Sequence, residues 1–296
     1  MILVLGEALI DLVIQPDGSV AAVCGGGPYN AARTMGRLGA PTSFAGCLSE
    51  DRFGQRLADG LRQSNVDVVG PISALPTTLA AAELDAGGAA SYRFYITDTS
   101  APAVSTVEVP QDLAVLHVGT LGLVLDPMAS AAAAAVDSCS ESTIVFCDPN
   151  CRPRIVGDAH AYRELLSRVL KRADVVKFSA DDLEYLVPGV APTDAARQLV
   201  DTSDTLVLVT DGGDAVHSFG PFGHVVTPTP TVDVVDTVGA GDAFGGGFCA
   251  WWVHRGYGRA ELADGSLVRS AVEYAVRVAA LTCVRQGADP PWQHEM

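Results

Sequence analysis

Positive charge is scarce in this 296-residue chain. Nineteen Lys and Arg stand against thirty-five Asp and Glu, a net −16, and only Lys171 and Lys177 are lysines. A phosphate backbone or an anionic lipid surface needs clustered cations, so no nucleic-acid or membrane partner is expected. Charged residues are only 18% and hydrophobic ones 48%, which excludes a disordered chain or a coiled-coil rod. A membrane span is missing as well, because His117, Asp126 and Pro127 interrupt the most apolar stretch, 113–136. Met1-Ile2-Leu3-Val4-Leu5-Gly6-Glu7 has neither a basic n-region nor a signal-peptide cleavage motif. Seven cysteines, an odd number, form no CxxC pair, and nothing completes a metal site around Cys147 and Cys151. Reduced thiols in a cytoplasmic, soluble protein are the expectation. GxxxxGK[ST] occurs nowhere, which removes P-loop enzymes.

Against these absences stands a regular alternation. Short β-branched runs at 2–5, 42–47, 113–118, 143–147, 174–178 and 205–210 alternate with helical patterns at 30–38, 53–63, 128–138, 161–172, 194–200 and 266–284. Several strands are apolar at consecutive positions, as strands covered on both faces are. The class is α/β with a mainly parallel sheet, and no linker or repeat divides the chain, so 1–296 is expected to be one domain. One region breaks the rhythm. Residues 77–84 and 90–97 are β-rich and flank Asp85-Ala86-Gly87-Gly88, a hairpin signal. Tyr92, Phe94 and Ile96 fall on one face of the second strand, and Ser91, Arg93, Tyr95 and Thr97 on the other. Segment 12–23, with its Pro16-Asp17-Gly18 turn, is expected to join this hairpin as a small lid; a solvated edge hairpin without function is the alternative.

Chemistry concentrates in two glycine segments. In Val234-Val235-Asp236-Thr237-Val238-Gly239-Ala240-Gly241-Asp242-Ala243-Phe244, a strand-like run enters a small-residue turn that opens a helix reaching residue 255. Free N–H groups and the helix dipole at such a start form an anion hole, and glycines let a phosphate approach the backbone. Asp242 lies where the same dipole favours an ionised carboxylate. A base beside an anion hole suits deprotonation of a hydroxyl next to a phosphate. A dinucleotide fingerprint fits less well: its third glycine falls at 245, one residue late, and too little chain follows. Asp242 as a mere helix-start residue remains an alternative. The second segment, Gly25-Gly26-Gly27-Pro28-Tyr29-Asn30, permits close approach of a ligand and supplies Asn30 for hydroxyls. Gly6 to Asp11 leaves the first strand with a carboxylate at its carboxyl end, where ligands of open α/β sheets collect.

In order and separation, these segments resemble the paired signatures of the PfkB (ribokinase-like) carbohydrate kinases, in the fructokinase and 2-keto-3-deoxygluconate kinase-like branch. The resemblance extends through Asp148-Pro149-Asn150-Cys151-Arg152, 177–186, 210–215 and 283–288. It implies a three-layer α/β/α sandwich with a small β-sheet lid, and an ATP-dependent sugar kinase acting on a primary hydroxyl. Asp242 would be the catalytic base, and Gly239, Ala240 and Gly241 the anion hole. Asp11, Gly26, Gly27 and Asn30 would hold sugar hydroxyls. Lys177, Ser179, Thr210 and Gly212 would lie along the nucleotide. Asp182 would act indirectly on Mg2+, while Asp236 and the Val238 carbonyl match positions that hold K+ or another monovalent cation in many relatives. Arg93 and Arg152 are the expected cationic contacts near substrate or phosphate, a salt bridge from Arg152 to Asp148 being the alternative.

The pattern is not complete. The family's Asn-x-x-Glu reads Ser179-Ala180-Asp181-Asp182 here, which a plain capping box also explains. Ala215 ends the phosphate loop in place of glycine, and Val276 stands where asparagine often lies near the nucleotide. A fructose-like ketose, ribose or 2-keto-3-deoxygluconate is the expected acceptor. A nucleoside kinase and a non-catalytic ligand-binding protein are the rivals. The apolar lid face makes a homodimer through the lid an expectation.

Overall fold

Strand periodicity explains the layering. In the strand Ile2–Leu5, Ile2 and Val4 belong to one apolar core while Leu3 and Leu5 belong to another. The strand Ile144–Asp148 divides the same way, with Phe146 on the first side and Val145 and Cys147 on the second. Side chains two apart share a face, so a sheet buried on both sides feeds two cores. The computed structural model describes residues 1–85 and 90–296; of the expected Asp85–Gly88 turn, all but Asp85 lies outside them.

The central sheet has nine strands. From one edge they run Gly223–Thr227, Val216–Gly220, Leu206–Thr210, Val175–Ser179, Ile144–Asp148, Val115–Gly119, Ile2–Leu5, Thr42–Phe44 and Val66–Val68. Every pairing is parallel except those made by the hairpin of Val216–Gly220 and Gly223–Thr227. Helices Gly27–Arg37, Arg52–Gln63, Ala240–His254 and Gly265–Cys283 bury Met35, Leu61, Phe248 and Val272 on one face. Met128–Ser138, Ala159–Arg172, Ala180–Leu186 and Pro192–Leu199 bury Val136, Leu166, Leu183 and Ala196 on the other. The result is the expected three-layer α/β/α sandwich.

A second sheet has four strands in the order Val20–Gly25, Leu9–Ile14, Leu79–Leu84 and Ala90–Tyr95. Segments 12–23 and 77–97 therefore pair, Leu9–Ile14 running parallel to Leu79–Leu84 with Asp11 opposite Ala80. The first of these strands starts earlier than the pattern predicts, at Leu9, because Asp11 and its neighbours already pair with Val20–Gly25, while the hairpin strands are shorter than 77–84 and 90–97.

Several boundaries differ from the sequence reading. The first helix starts at Gly27, with Pro28 in the first turn, where a missing N–H costs nothing. Asn30 is thus inside the helix and not at its cap. The run 42–47 pairs only over Thr42–Phe44, and the edge hairpin and Val66–Val68 had no clear period-2 signal. Val66–Val68 and Gly223–Thr227 are the two edges of the sheet, where partial solvation blurs the apolar pattern.

Candidate active site

The parallel strands place their carboxyl ends in register. Gly119 pairs with Asp148, and Ser179 with Thr210. Along this edge runs a cleft of about 1230 Å³. Asp11, Tyr92 and Phe94 of the small sheet line it, as do the Gly239–Asp242 turn and Thr210 and Val276.

Asp242 sits in the first turn of Ala240–His254, which follows Gly239 in the left-handed conformation at φ 77°. A Cβ at Gly239 would also meet the Ala288 Cβ at 2.5 Å, so glycine is required twice over. The first intrahelical bond runs from the Ala243 N–H to the Gly239 carbonyl at 2.8 Å. The N–H groups of Gly241 and Asp242 therefore have no acceptor within the helix. Asn30 Nδ2 donates to Asp242 Oδ2 at 2.9 Å, and Asn150 Nδ2 reaches Oδ1 at 3.4 Å. Among the described residues the Asn30 Oδ1 is buried without a partner, an acceptor left beside the base. Burial pushes the Asp242 carboxyl up, while Asn30, Lys177 and Arg152 pull it down. The net direction is up, against the simple expectation from the helix dipole, because protein surrounds the half-buried group where water would otherwise stabilise its charge.

Lys177 sits 3% exposed, with its Nζ 2.9 and 3.1 Å from the Asp148 carboxylate oxygens. Burial by itself would depress it, but Asp148, Asp182 and Asp242 overrule that and hold its ammonium above the ordinary value. A Cβ on Gly241 would lie 3.0 Å from the Lys177 Nζ, so this glycine lets the ammonium approach the helix start. The chain thus sets a fixed cation beside two free N–H groups. Asp148 is bound to Lys177 and not to Arg152: Arg152 Nη1 donates to the Asn150 carbonyl and Oδ1 at 2.9 and 2.7 Å. Arg152 remains a cleft residue that orients Asn150.

At the opposite end, Asp11 faces the cleft and burial raises its carboxyl to about 6, against the pull of Arg152. Gly26 adopts φ 110°, and a Cβ there would strike the Glu7 carbonyl at 2.7 Å. At Gly27 a Cβ would lie 2.4 Å from Thr120 Oγ1 and 3.2 Å from Asp242 Oδ1. The second glycine segment is thus packed against the Asp242 carboxylate. Arg93 does not join them. It is exposed and lies one residue from Tyr92 and Phe94, which line the cleft, so strand alternation turns it to the other face.

Along the remaining cleft wall, Ser179 and Asp182 form a full capping box. Asp182 Oδ2 accepts from the Ser179 N–H at 2.8 Å and its hydroxyl at 2.7 Å, and Oδ1 accepts from the Cys151 N–H at 2.5 Å. The Asp182 carboxylate thus accepts on both oxygens, which fixes its orientation on the cleft wall. Thr210 Oγ1 donates to the Phe178 carbonyl at 3.4 Å, and Gly212 takes φ 50° in the turn beyond. Asp236 accepts from the Val238 N–H at 3.0 Å and the Gly287 N–H at 2.9 Å, pinning the loop ahead of the anion hole to the C-terminal segment. Among the described residues no cluster of three or more His, Cys, Asp and Glu could hold a metal ion. Magnesium in such a site needs only one or two carboxylates beside substrate phosphates.

Glu7, Thr120 and Asn150 complete the site without having been singled out. Thr120 and Asn150 have left-handed backbones at φ 52° and 40°, each just beyond a strand end. For a β-branched threonine this is an outlier, the kind of strain that gathers at functional sites. No local motif announces it. Asn150 and Glu7 lie inside segments that carry the family resemblance, and the signal for Thr120 was only that it follows the carboxyl end of a strand.

A buried carboxylate held by an amide beside free helix-start N–H groups and a buried ammonium suits phosphoryl transfer to an alcohol. Residues 1–295 match the model of the pfkB family of carbohydrate kinases, and the chain belongs to that family. It is 33% identical over 258 residues to a fructokinase of Rhizobium leguminosarum bv. trifolii, covering 84% of this chain and 79% of that protein. The structure of a fructokinase from Xylella fastidiosa with bound ATP is similar at a TM-score of 0.89 and 30% identity, over 97% of this chain and 93% of that one. An aminoimidazole riboside kinase from Salmonella enterica, complexed with aminoimidazole riboside and an ATP analogue, gives 0.83 and 26%, over 97% and 94%. Among the described residues no helix is long and apolar enough to cross a membrane.

Proposed function

We propose that this enzyme transfers the γ-phosphoryl group of ATP to a primary hydroxyl of a fructose-like ketose. The observation that carries the reading is Asp242, fixed by Asn30 at 2.9 Å beside the free N–H groups of its own helix start. The acceptor hydroxyl, held by Asp11, Asn30 and the Gly26–Gly27 backbone, gives its proton to the Asp242 carboxylate as its oxygen attacks phosphorus. Raised above the ordinary carboxylate range, Asp242 is a stronger base for that proton. The free N–H groups of Gly241 and Asp242 and the Lys177 ammonium face the charge on the transferred group, while the Ala240 N–H is held by the Thr237 carbonyl at 3.2 Å. Thr210, Gly212 and Ser179 lie along the nucleotide. Magnesium brought with ATP supplies charge neutralisation between phosphates and a −16 chain, within water-mediated reach of Asp182. The two bound oxygens of Asp236 and the Val238 carbonyl form a hard-oxygen donor set suited to K+. Arg152 serves the acceptor end by fixing Asn150.

The small sheet acts as a lid whose Tyr92 and Phe94 exclude water from the transfer. Val20 and Tyr95, exposed on the face of that sheet turned away from the cleft, support a homodimer through it. Seven unpaired cysteines support a cytoplasmic setting. A second reading, a ribonucleoside-like acceptor, draws on the likeness to the riboside kinase and on the stacked Tyr92–Phe94 pair, with centroids 6.2 Å apart. ADP release measured with fructose, ribose, 2-keto-3-deoxygluconate and a set of ribonucleosides tests both. The ketose reading expects fructose to give the highest kcat/KM. Turnover only with nucleosides reverses the assignment, and no turnover with any acceptor refutes the kinase reading.

A further inference from the structure

Glu7 is a buried carboxylate on the cleft wall to which the transfer chemistry assigns no task. It is 1% exposed and directly follows Gly6 at the end of the strand Ile2–Leu5. Its Oε1 accepts from the Gly27 N–H at 3.0 Å, and its Oε2 accepts from the Gly122 N–H at 3.2 Å. One side chain therefore ties together three segments: the first strand, the start of helix Gly27–Arg37, and the turn Thr120–Leu123. Two of these carry groups next to the base. The helix carries Asn30, whose N–H bonds the Gly26 carbonyl at 2.9 Å and whose Nδ2 holds Asp242. The turn carries Thr120, whose Oγ1 is 3.4 Å from Asn150 Nδ2, the second contact of Asp242.

Burying a carboxylate is expensive unless its oxygens are bonded. Burial pushes Glu7 up to about 8, although its own N–H, the Gly27 N–H and Arg152 pull it down and Asp242 pushes it further up. Those two charged groups face it from the loop after Ile144–Asp148 and from helix Ala240–His254. An alanine here would avoid the desolvation cost, so a carboxylate kept at this place indicates work beyond packing.

We propose that Glu7 is a positioning residue that clamps the Gly26–Gly27 turn to the Thr120–Leu123 turn and, through Asn30 and Asn150, aims the Asp242 carboxylate at the acceptor hydroxyl. The inference rests on the kinase reading above. The clamp acts on the backbone N–H groups of two glycines, where a Cβ would lie 2.4 Å from Thr120 Oγ1 at Gly27 and 3.0 Å from the Gly6 Cα at Gly122. Loss of one arm lets the glycine turn shift toward Thr120, and the amide that orients the base moves with it.

Assayed at pH 9, where Glu7 is ionised and both oxygens accept, Glu7→Gln keeps the shape and one good acceptor but sets an NH2 against the other N–H. At saturating sugar and ATP its kcat should fall about 10²-fold, the scale of a displacement near 1 Å, with KM for ATP within twofold. A role in packing alone would lower thermal stability and leave that split absent. Asn30→Ala and the double variant close a cycle: if Glu7 works through Asn30, the two kcat losses do not multiply. Fully multiplicative losses, or an unchanged kcat in Glu7→Gln, overturn the proposal. Where Glu7→Gln does not fold, Glu7→Asp takes its place in the same cycle. Amide exchange at Gly27 and Gly122, read by NMR without substrate, should quicken about tenfold in the variant. Unchanged exchange overturns the clamp even if the parent chain phosphorylates no acceptor, an outcome that would refute the kinase reading separately.

Discussion

Replacing Asp242 by asparagine separates a base from a helix-start residue. Asparagine fills the same volume and can turn its oxygen toward the Asn30 Nδ2 that now donates at 2.9 Å. Its amide nitrogen then faces Asn150 Nδ2, now 3.4 Å from Oδ1, a modest conflict between donors. The proton of the acceptor hydroxyl has nowhere to go. A positioned general base contributes about 10²–10⁴ in rate, so kcat should fall by that factor, about 3–5 kcal/mol in the barrier. Binding should barely move, because Asp11, the Gly26–Gly27 backbone and the anion hole remain. Stability supplies the control. The Asp242 side chain makes no capping bond to the helix, and its carboxyl is raised in the fold. A raised acid favours the folded state when protonated, so at neutral pH a neutral asparagine should leave the melting temperature equal or higher. A helix-start role would show the reverse: turnover intact and about 1 kcal/mol of stability lost. Coupled ADP release, calorimetric binding of sugar and nucleotide, and thermal melts read all three quantities. Turnover within tenfold of the parent refutes the mechanism.

Three further outcomes follow from the geometry. Asp11→Ala should cost about 1.5–3 kcal/mol in kcat/KM for the sugar, the worth of a charged hydrogen bond, with ATP affinity unchanged in titration calorimetry; equal losses for both would remove Asp11 from the acceptor end. Lys177→Met should cost about 3–5 kcal/mol in urea unfolding, because Asp148, 3% exposed, loses the ammonium that bonds its carboxylate. Adding Asp148→Leu should recover part of that loss, and no recovery would argue against the pair. Stability should also fall as pH rises. Glu7 and Asp11 have folded values near 8 and 6, above their ordinary 4.5 and 3.8. Their contribution is full below about pH 4 and is lost as pH climbs through 6 and then 8. Urea midpoints at pH 5, 7 and 8.5 check it, and Glu7→Gln should flatten the upper half of the curve.

Periodicity and local motifs made much of this protein legible in its chain. The two-faced strands are written as consecutive apolar residues, since covering both faces leaves no polar side to alternate. Gly239-Ala240-Gly241-Asp242 states its own geometry: a left-handed glycine, free N–H groups and a carboxylate in the first turn are properties of neighbouring residues. The Ser179–Asp182 capping box is local for the same reason. What tertiary structure decided was every pairing between residues far apart in the chain. Asn30 meets Asp242 across 212 positions, Lys177 chooses Asp148 while Arg152 turns to Asn150, and Glu7 reaches Gly27 and Gly122. Arg93 and Phe94 are neighbours in the chain, yet only Phe94 lines the cleft. Which strand face meets the cleft depends on how the small sheet docks. The direction of the Asp242 shift follows the same rule: a helix start favours the charged form, but the amount of protein closed around a carboxylate is set only when the distant segments come together.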